Sequence, residues 1–173
     1  MTALKIMKER HAKIKRIKDS IAGNVEPYKL DSTNIVFTIG YEKRNIKNFI
    51  KVLKINKIKL LVDIRANGFS HKRDFSNSIF VKNLKEAGID YLAIRELGSP
   101  KELREGLKKY GYKWFFDKYR DYIKGKMDEI DKLEKIISKR RSCLMCFELY
   151  PEHCHRSIVS EKLQERGYEV VHL

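Results

Sequence analysis

The chain has 173 residues, 42% of them apolar, and a formal net charge of +15, which is the size and composition of one domain with a buried core. It has no apolar run long enough to span a membrane, its charged N-terminal segment is unlike a signal peptide, and three cysteines do not suit a secreted disulfide framework. We therefore predict a cytoplasmic protein with reduced thiols and no membrane insertion.

Residues 1–30 are a basic extension, with eight lysines and arginines against three acidic residues. Apolar residues recur at three- or four-residue intervals from Leu4 to Ile21, which is typical of an amphipathic helix, and Gly23 to Pro27 ends the pattern. This helix either packs on its own domain or forms an arm. As an arm it would contact nucleic acid, a membrane surface or a second copy of the chain, which makes it a candidate surface for homo-oligomerisation.

From residue 31 to the end, short apolar runs alternate with helical patterns. Short apolar runs, the first of them β-branched, predict strands at 34–39, 59–64, 89–94, 142–147 and 168–173. Residues 100–141 predict two or three helices, broken near Gly111 and Gly125. This order predicts a single α/β domain over residues 31–173, with helices on both faces of a mostly parallel sheet.

Polar residues stand where the predicted strands end. The first strand is followed by Gly40 and Tyr41, the second ends with Asp63 and Arg65, the third is followed by Arg95, and the fourth ends with Glu148. The carboxyl ends of parallel strands meet at one edge, where ligands bind, and an unpaired charge beside an apolar strand is costly. We therefore predict that these residues share one site.

The loop over residues 65–73 concentrates positive charge. Arg65, Ser70, Lys72 and Arg73 lie in it, shortly before a predicted helix. Guanidinium groups bind phosphate through two hydrogen bonds, and a helix N-terminus adds backbone donors. The loop is thus a candidate phosphate contact, and the alternative is a solvated basic loop.

The segment 151–157 opens the last long helix and places His155 and Arg156 in its first turn, where anions bind. A thiol at a helix start has a lowered pKa, which makes Cys154 a candidate nucleophile. A phosphatase-type loop needs arginine six residues after its cysteine, and Ser160 stands there. Cys154 as an inert neighbour of the site is the alternative.

Cys143 and Cys146, with His153, Cys154 and His155 nearby, have the side chains of a zinc site. Side chains alternate along a strand, so Cys143 and Cys146 should face opposite sides of the sheet, and we predict no metal ligands. Cys146 should instead share a face with the glutamate that ends its strand. A thiol redox protein, with Cys146 paired to Cys154, is a further alternative.

Aromatic and basic residues are interleaved over residues 110–122, as they are in proteins that stack single-stranded bases. Those at helical spacing are predicted to be buried: Phe115, Tyr119 and Tyr122. The remaining rings are candidate contacts: Tyr110, Tyr112 and Trp114.

Several motifs resemble, in the same order, the uncharacterised family called domain of unknown function 488. They are Thr38-Ile-Gly-Tyr-Glu42, Val62-Asp-Ile-Arg65, Phe75-Ser76, Glu96-Leu-Gly-Ser-Pro-Lys101, and Cys146-Phe-Glu148 followed by Cys154-His-Arg156. The likeness covers about residues 34–173, and the Cys-His-Arg segment is its most specific part.

The resemblance implies a Rossmann-like three-layer α/β domain with a clustered polar site, and it implies no established reaction. It supports these residues as site members: Asp63, Arg65, Ser70, Glu148, Cys154, His155 and Arg156. The family usually has proline where Gly68 stands and arginine where His71 stands, so the basic loop departs from the pattern here.

Together these features predict a hydrolase or group transferase that acts on a phosphate-bearing substrate, such as a nucleotide or nucleic acid. Glu148 would be the general acid or base, Asp63 would position water or a sugar hydroxyl, and His155 is a second candidate for proton transfer. Arg65 and Arg156 would hold the phosphate. No cofactor is predicted, a divalent ion between the two carboxylates stays open, and the alternative is a non-catalytic nucleic-acid-binding or regulatory module.

Overall fold

The structure is a computed structural model that describes residues 3–24, 26–27 and 34–173. The helices are α1 (Ala3–Ile21), α2 (Ile46–Ile55), α3 (Asn77–Glu86), α4 (Lys101–Lys124), α5 (Met127–Ile137) and α6 (Arg156–Gln164). The strands are β1 (Ile35–Gly40), β2 (Leu60–Asp63), β3 (Asp90–Ala93), β4 (Ser142–Cys146) and β5 (Glu169–His172). The predicted boundary between residues 30 and 31 and the side chain of Leu4 lie outside the described residues.

The strands form one sheet in the order β3-β2-β4-β1-β5, and every neighbouring pair is parallel. Alternate side chains of each inner strand enter two different cores, so both faces are buried. In β4, for example, Cys143 and Met145 pack on one face and Leu144 on the other. The predicted Rossmann-like three-layer α/β fold is confirmed.

The helices divide between the two faces according to their apolar sides. One core contains Phe49 of α2 and Phe80 of α3, and the other contains Tyr119 of α4, Leu133 of α5 and Val159 of α6. The chain leaves β1 and β2 toward the first face and leaves β4 toward the second. Since β4 lies between β1 and β2, a crevice opens beside its carboxyl end, where parallel sheets bind ligands.

The predicted break in the long helical segment is present at Gly111. Its φ of 80° lies in the left-handed region, which glycine adopts at little cost, and α4 kinks there. A second break follows at Gly125, where α4 ends before α5 begins. The kink sets the first turns of α4 apart from the part that packs on the sheet.

Helix α1 packs on its own domain. Ile17 is fully buried, and the α1 carbonyl of Ile21 accepts a hydrogen bond from the side chain of Asn48 in α2 at 3.0 Å. Lys13 pairs with Glu152 at 3.7 Å, next to the start of α6. Of the two alternatives for this helix, the structure has the packed one. Within the described ranges, no helix combines the length and apolar character needed to cross a membrane.

Candidate functional site

A cavity of about 590 Å³ lies at the carboxyl edge of the sheet. It is bounded by the ends of β1, β2 and β4, by the basic loop after β2, and by the first half of α4. Its lining includes these predicted site residues: Tyr41, Arg65, Ser70, Glu148 and His155. The predicted residues that do not line it are Gly40, Asp63, Arg73, Cys154 and Arg156.

Gly40 ends β1 at a point where the backbone after β4 passes very close. A Cβ atom at this position would lie 1.8 Å from the carbonyl oxygen of Glu148, so only glycine fits. The neighbouring backbone is fixed as well, because the Leu149 amide donates to a carboxylate oxygen of Glu42 at 2.9 Å. We predicted Gly40 as a substrate contact. In the structure it does not line the cavity, and its missing side chain leaves room for the backbone of Glu148.

Arg156 lies behind the same backbone. Its side chain is fully buried, and its guanidinium donates to the carbonyl oxygens of Glu148 and Leu149, the latter at 2.8 Å. We predicted a phosphate contact here. The first turn of α6 instead faces the sheet, which directs this side chain to backbone carbonyls and away from the cavity. Arg156 therefore positions the segment that carries Glu148.

Asp63 is the centre of a buried group of side chains, which we call the aspartate cluster: Asp63, Arg65, Tyr91 and Arg95. The carboxylate accepts five hydrogen bonds, two from the Arg65 guanidinium and one each from the Arg65 amide, the Tyr91 hydroxyl and Arg95. Tyr91 belongs to β3, the neighbour of β2 in the sheet. Asp63 is completely buried.

These contacts determine the charge of the aspartate cluster. Burial acts to raise the pKa of Asp63, but the hydrogen bonds and charge of Arg65 outweigh it and hold that pKa below its ordinary value. One carboxylate and two guanidinium groups leave one net positive charge. Arg65 reaches the cavity from this group and donates to the hydroxyl of Tyr41 at 2.9 Å.

A second group, the thiol cluster, lies at the end of β4: Cys146, Glu148, Cys154 and His155. One polar atom from each of these side chains lies within 4.8 Å of the others. The Sγ atom of Cys146 is 3.1 Å from a carboxylate oxygen of Glu148 and 3.7 Å from Nδ1 of His155. The strand end and the start of α6 thus bring two thiols, an imidazole and a carboxyl together.

The His155 ring is oriented by the neighbouring strand. Its Nε2 lies 2.9 Å from the carbonyl oxygen of Ile64, which can only accept a hydrogen bond, so Nε2 carries a proton. Cys146 Sγ lies about equally far from both ring nitrogens, 3.7 Å from Nδ1 and 3.9 Å from Nε2. The backbone amide of Arg156 approaches Cys154 Sγ at 3.5 Å, where it stabilises negative charge on the sulfur.

Burial and mutual charge shift the thiol cluster strongly. Burial raises the pKa of Glu148 to about 7, and charge on Cys154 adds to the shift. Burial also raises the pKa of Cys146. For Cys154 burial acts upward too, but a hydrogen bond from Cys146 and the charges of Arg156 and His155 bring its pKa down. The cluster therefore combines a thiol whose pKa is lowered with a carboxyl whose pKa lies near neutrality.

Cationic side chains line the opposite wall. Lys72 Nζ donates to the carbonyl oxygens of Tyr41 and Arg44, which anchors it over the end of β1. Arg104, in the first turns of α4, donates to the carbonyl of Ser99 at 2.7 Å. Ser70 orders the loop between them by accepting a hydrogen bond from the Lys72 amide. Arg73 is exposed in a short 3-10 turn outside the lining.

Aromatic rings form the remaining walls. Tyr41 and Phe147 meet edge to face with their centroids 5.3 Å apart, and Phe147 is 43% exposed. Tyr112 stacks on His153, which lines the cavity, with centroids 4.9 Å apart. Of the predicted base contacts, Tyr110 and Tyr112 are exposed and Trp114 is half-buried. Of the rings predicted to be buried, Phe115 and Tyr119 are buried, and Tyr122 is only half-buried.

Some members of the site were missing from our prediction. Cys146 was placed on the face of Glu148 by strand alternation, but it was not chosen as a site residue. Arg95 was predicted at the carboxyl end of the third strand but was not chosen as a site residue. Tyr91 and Arg104 carried no local signal, because their contacts depend on strand order and on the placement of α4. Cys143 packs in the core of the opposite face, away from Cys146.

The cavity can accept a ligand that is both anionic and aromatic, and it places a proton-exchanging carboxyl beside that ligand.

A family model described as domain of unknown function DUF488 matches residues 45–163. Neither the curated proteins nor the solved structures include a match to this chain. The motif resemblance and this match agree, and the chain belongs to the family of the domain of unknown function DUF488.

Proposed function

We propose that this protein is an enzyme that hydrolyses or transfers a group on a nucleotide or nucleic acid, with Glu148 as the general acid or base. The observation that carries the proposal is the make-up of the cavity wall. Among the described lining residues, three are permanent cations, Arg65, Lys72 and Arg104, and Glu148 is the only carboxyl. Such a wall attracts phosphate and leaves one group suited to proton transfer.

The phosphate would lie on the side of Lys72 and Arg104. Lys72 uses two of its three donors on backbone carbonyls, and Arg104 uses one donor on Ser99. The remaining donors supply charged hydrogen bonds to phosphate oxygens. Arg65 is held by Asp63 and adds mainly its charge.

The base would lie against the aromatic walls. The rings of Tyr41, Phe69 and Phe147 line the cavity, and Phe69 is 65% exposed. Stacking on such rings contributes about 1–3 kcal/mol per base and tolerates any base. Glu148 lies between these rings and the buried thiols, close enough to a bound ligand to give or take a proton.

Calorimetry with a nucleoside monophosphate, the matching nucleoside and inorganic phosphate tests the binding part. We expect the nucleotide to bind more tightly than either fragment. Arg104→Gln should weaken nucleotide binding by about tenfold or more, because a charged hydrogen bond contributes about 1.5–3 kcal/mol. Arg120→Gln is the matched control, since Arg120 is an exposed arginine paired with Glu161 outside the cavity.

Equal loss of affinity in both arginine variants would mean that the chain attracts anions through its overall charge, and it would contradict the proposal. Turnover is tested by incubating the protein with nucleotides and oligonucleotides and separating the products by chromatography. Tight binding without turnover of either class would contradict the enzymatic part.

One observation favours a second function, a non-catalytic module that binds single-stranded nucleic acid. The exposed ring of Tyr112 stacks on His153 and so extends the cavity surface onto α4. If this function applies, Tyr112→Ala weakens oligonucleotide binding but not mononucleotide binding. Oligonucleotide affinity then falls steeply with salt, because each phosphate contact releases counterions, and it survives Glu148→Gln.

A further inference from the structure

We propose that Cys146, Cys154 and His155 bind one zinc ion whose fourth coordination position opens on the cavity. Metal binding needs no substrate, so this site goes beyond the proposed function and can be tested separately from it.

The donors are those that zinc prefers. Two thiolates and one imidazole form a set used by zinc enzymes, which keep a fourth position for water. Softer sulfur donors favour zinc over magnesium or calcium, which bind oxygen. Strand alternation correctly separates Cys143 from Cys146, but it does not test Cys154, which reaches the same place from the loop before α6.

The distances suit a small tetrahedral ion. Zinc–sulfur and zinc–nitrogen bonds of normal length place the two ligand atoms about 3.6 Å apart. Cys146 Sγ and His155 Nδ1 are 3.7 Å apart. The whole thiol cluster spans at most 4.8 Å, so the ligand atoms need to shift by only about 1 Å to close around an ion.

The orientation of His155 is that of a metal ligand. Zinc-bound histidines typically donate their other N–H to a carboxylate or a backbone carbonyl, which fixes the ring. Here Nε2 donates to Ile64 at 2.9 Å, which leaves Nδ1 as the ring nitrogen available to a metal, and Cys146 Sγ lies 3.7 Å from Nδ1 and 3.9 Å from Nε2. The Arg156 amide directed at Cys154 Sγ supports a thiolate in the same way.

The charges of the ligands also favour zinc binding. Two thiolates balance the charge of Zn²⁺, so the zinc–dithiolate unit is itself neutral beside a wall that is already positive. Cys154 is 1% exposed and lies outside the cavity lining, whereas Glu148 is part of it. The ligands therefore form the floor of the site, and the open position is on the side of Glu148.

This placement gives Glu148 a defined partner. A water molecule in the fourth position would transfer a proton to the Glu148 carboxylate and remain on zinc as hydroxide. Zinc enzymes that act on nucleobases use the same combination of two cysteines, one histidine and a glutamate that is not a ligand. This step, unlike metal binding, rests on the proposed function.

Cobalt substitution tests the ligand set. The reduced, metal-free full chain is titrated with Co²⁺, and the thiolate-to-cobalt charge-transfer absorption is recorded. We expect one ion per chain, displacement by Zn²⁺, and an intensity typical of two thiolates. Cys146→Ser and Cys154→Ser should each lower the intensity by about half and the affinity by more than about 100-fold, beyond the loss typical of an outer-shell change.

Cys143→Ala is the matched control, because Cys143 is an equally buried cysteine of the same strand that packs in the other core. It should leave the cobalt spectrum unchanged, and Glu148→Gln should retain both thiolate bonds. An absorption that depends on Cys143, that persists in the other cysteine variants, or that never appears would overturn the proposal.

Wild-type protein provides a second measurement in case a variant does not fold. Alkylation of each cysteine is measured by mass spectrometry with and without zinc. Zinc should slow the alkylation of Cys146 and Cys154 and leave that of Cys143 unchanged. Equal protection of all three thiols, or none, would again overturn the site. If the protein turns over its substrate but binds no metal, the zinc site is wrong and the proposed function stands. If it binds the metal but shows no turnover, the zinc site stands and the enzymatic function is wrong.

Discussion

The aspartate cluster and the thiol cluster lie at the carboxyl ends of two neighbouring strands, β2 and β4. In the aspartate cluster every carboxylate oxygen is occupied, and each charge has an opposite partner. In the thiol cluster two sulfurs, a ring nitrogen and a carboxyl face one another, and the guanidinium of the nearby Arg156 donates to backbone carbonyls rather than to any of these side chains. Buried polar groups at a strand end are thus no evidence of function until their partners are known.

The comparison assigns different roles to the two clusters. A saturated cluster tolerates no ligand, because any new partner must displace an existing hydrogen bond. An unsaturated one keeps donor atoms for a substrate or an ion. We therefore assign the aspartate cluster to stability and the thiol cluster to chemistry, and each assignment can be tested with one substitution.

The largest effect on stability is expected for Asp63→Ala. It leaves the buried guanidinium of Arg65 and the partly buried one of Arg95 without their carboxylate, which typically costs about 3–5 kcal/mol of the free energy of unfolding. Denaturant titration measures the loss. As a control, Asp90→Ala removes an exposed carboxylate of β3 that pairs with Arg140, and it should cost less than about 1 kcal/mol of the free energy of unfolding. Equal losses would contradict the assignment.

The pH dependence of the same contribution should be confined to strong acid. The pKa of Asp63 in the folded chain lies below its ordinary value of 3.8. As the pH falls to about that value, the Asp63 carboxylate takes up a proton in the unfolded chain before it does so in the folded chain. The stabilisation is complete above it and is lost as the pH falls through the lowered pKa. The difference in unfolding free energy between wild type and Asp63→Asn should therefore be constant from neutral pH down to about pH 4 and shrink below it. A difference that already falls between pH 7 and 5 would contradict this.

A smaller effect on stability should distinguish Arg95 from Arg104, two arginines at the carboxyl edge of the sheet. Arg95 donates to the Asp63 carboxylate, to the Tyr91 hydroxyl oxygen and to the Arg65 carbonyl, so Arg95→Met should cost about 1–2 kcal/mol of stability. Arg104→Met should cost about 1 kcal/mol or less, because only one bond to Ser99 is lost, but it should weaken nucleotide binding. Thermal unfolding and calorimetry on both variants test the contrast, and a reversed pattern would refute it.

Much of the fold could be predicted from local patterns. Buried parallel strands are short, mainly apolar runs, and turns separate them from helices, so the five strands and the breaks at Gly111 and Gly125 were correct. Alternation along β4 also placed Cys146 on the side of Glu148. These features depend on neighbours in the sequence.

The site was harder to predict because it depends on neighbours in space. Asp63 could not be recognised as saturated without the pairing of β2 with β3, which brings Tyr91 beside it. The inward direction of Arg156 follows from the orientation of α6, and the position of Arg104 follows from the course of α4. Residue type and spacing therefore identified the right edge of the sheet but not the role of each side chain there.

The most direct test of the central claim compares Glu148→Gln with Asp63→Asn in one set of measurements, turnover and unfolding free energy. We predict that Glu148→Gln lowers turnover by about 10²–10⁴-fold, as loss of a general acid or base does, while its stability stays within about 1 kcal/mol of wild type. Asp63→Asn should show clear destabilisation. Full turnover in a folded Glu148→Gln protein would contradict the account.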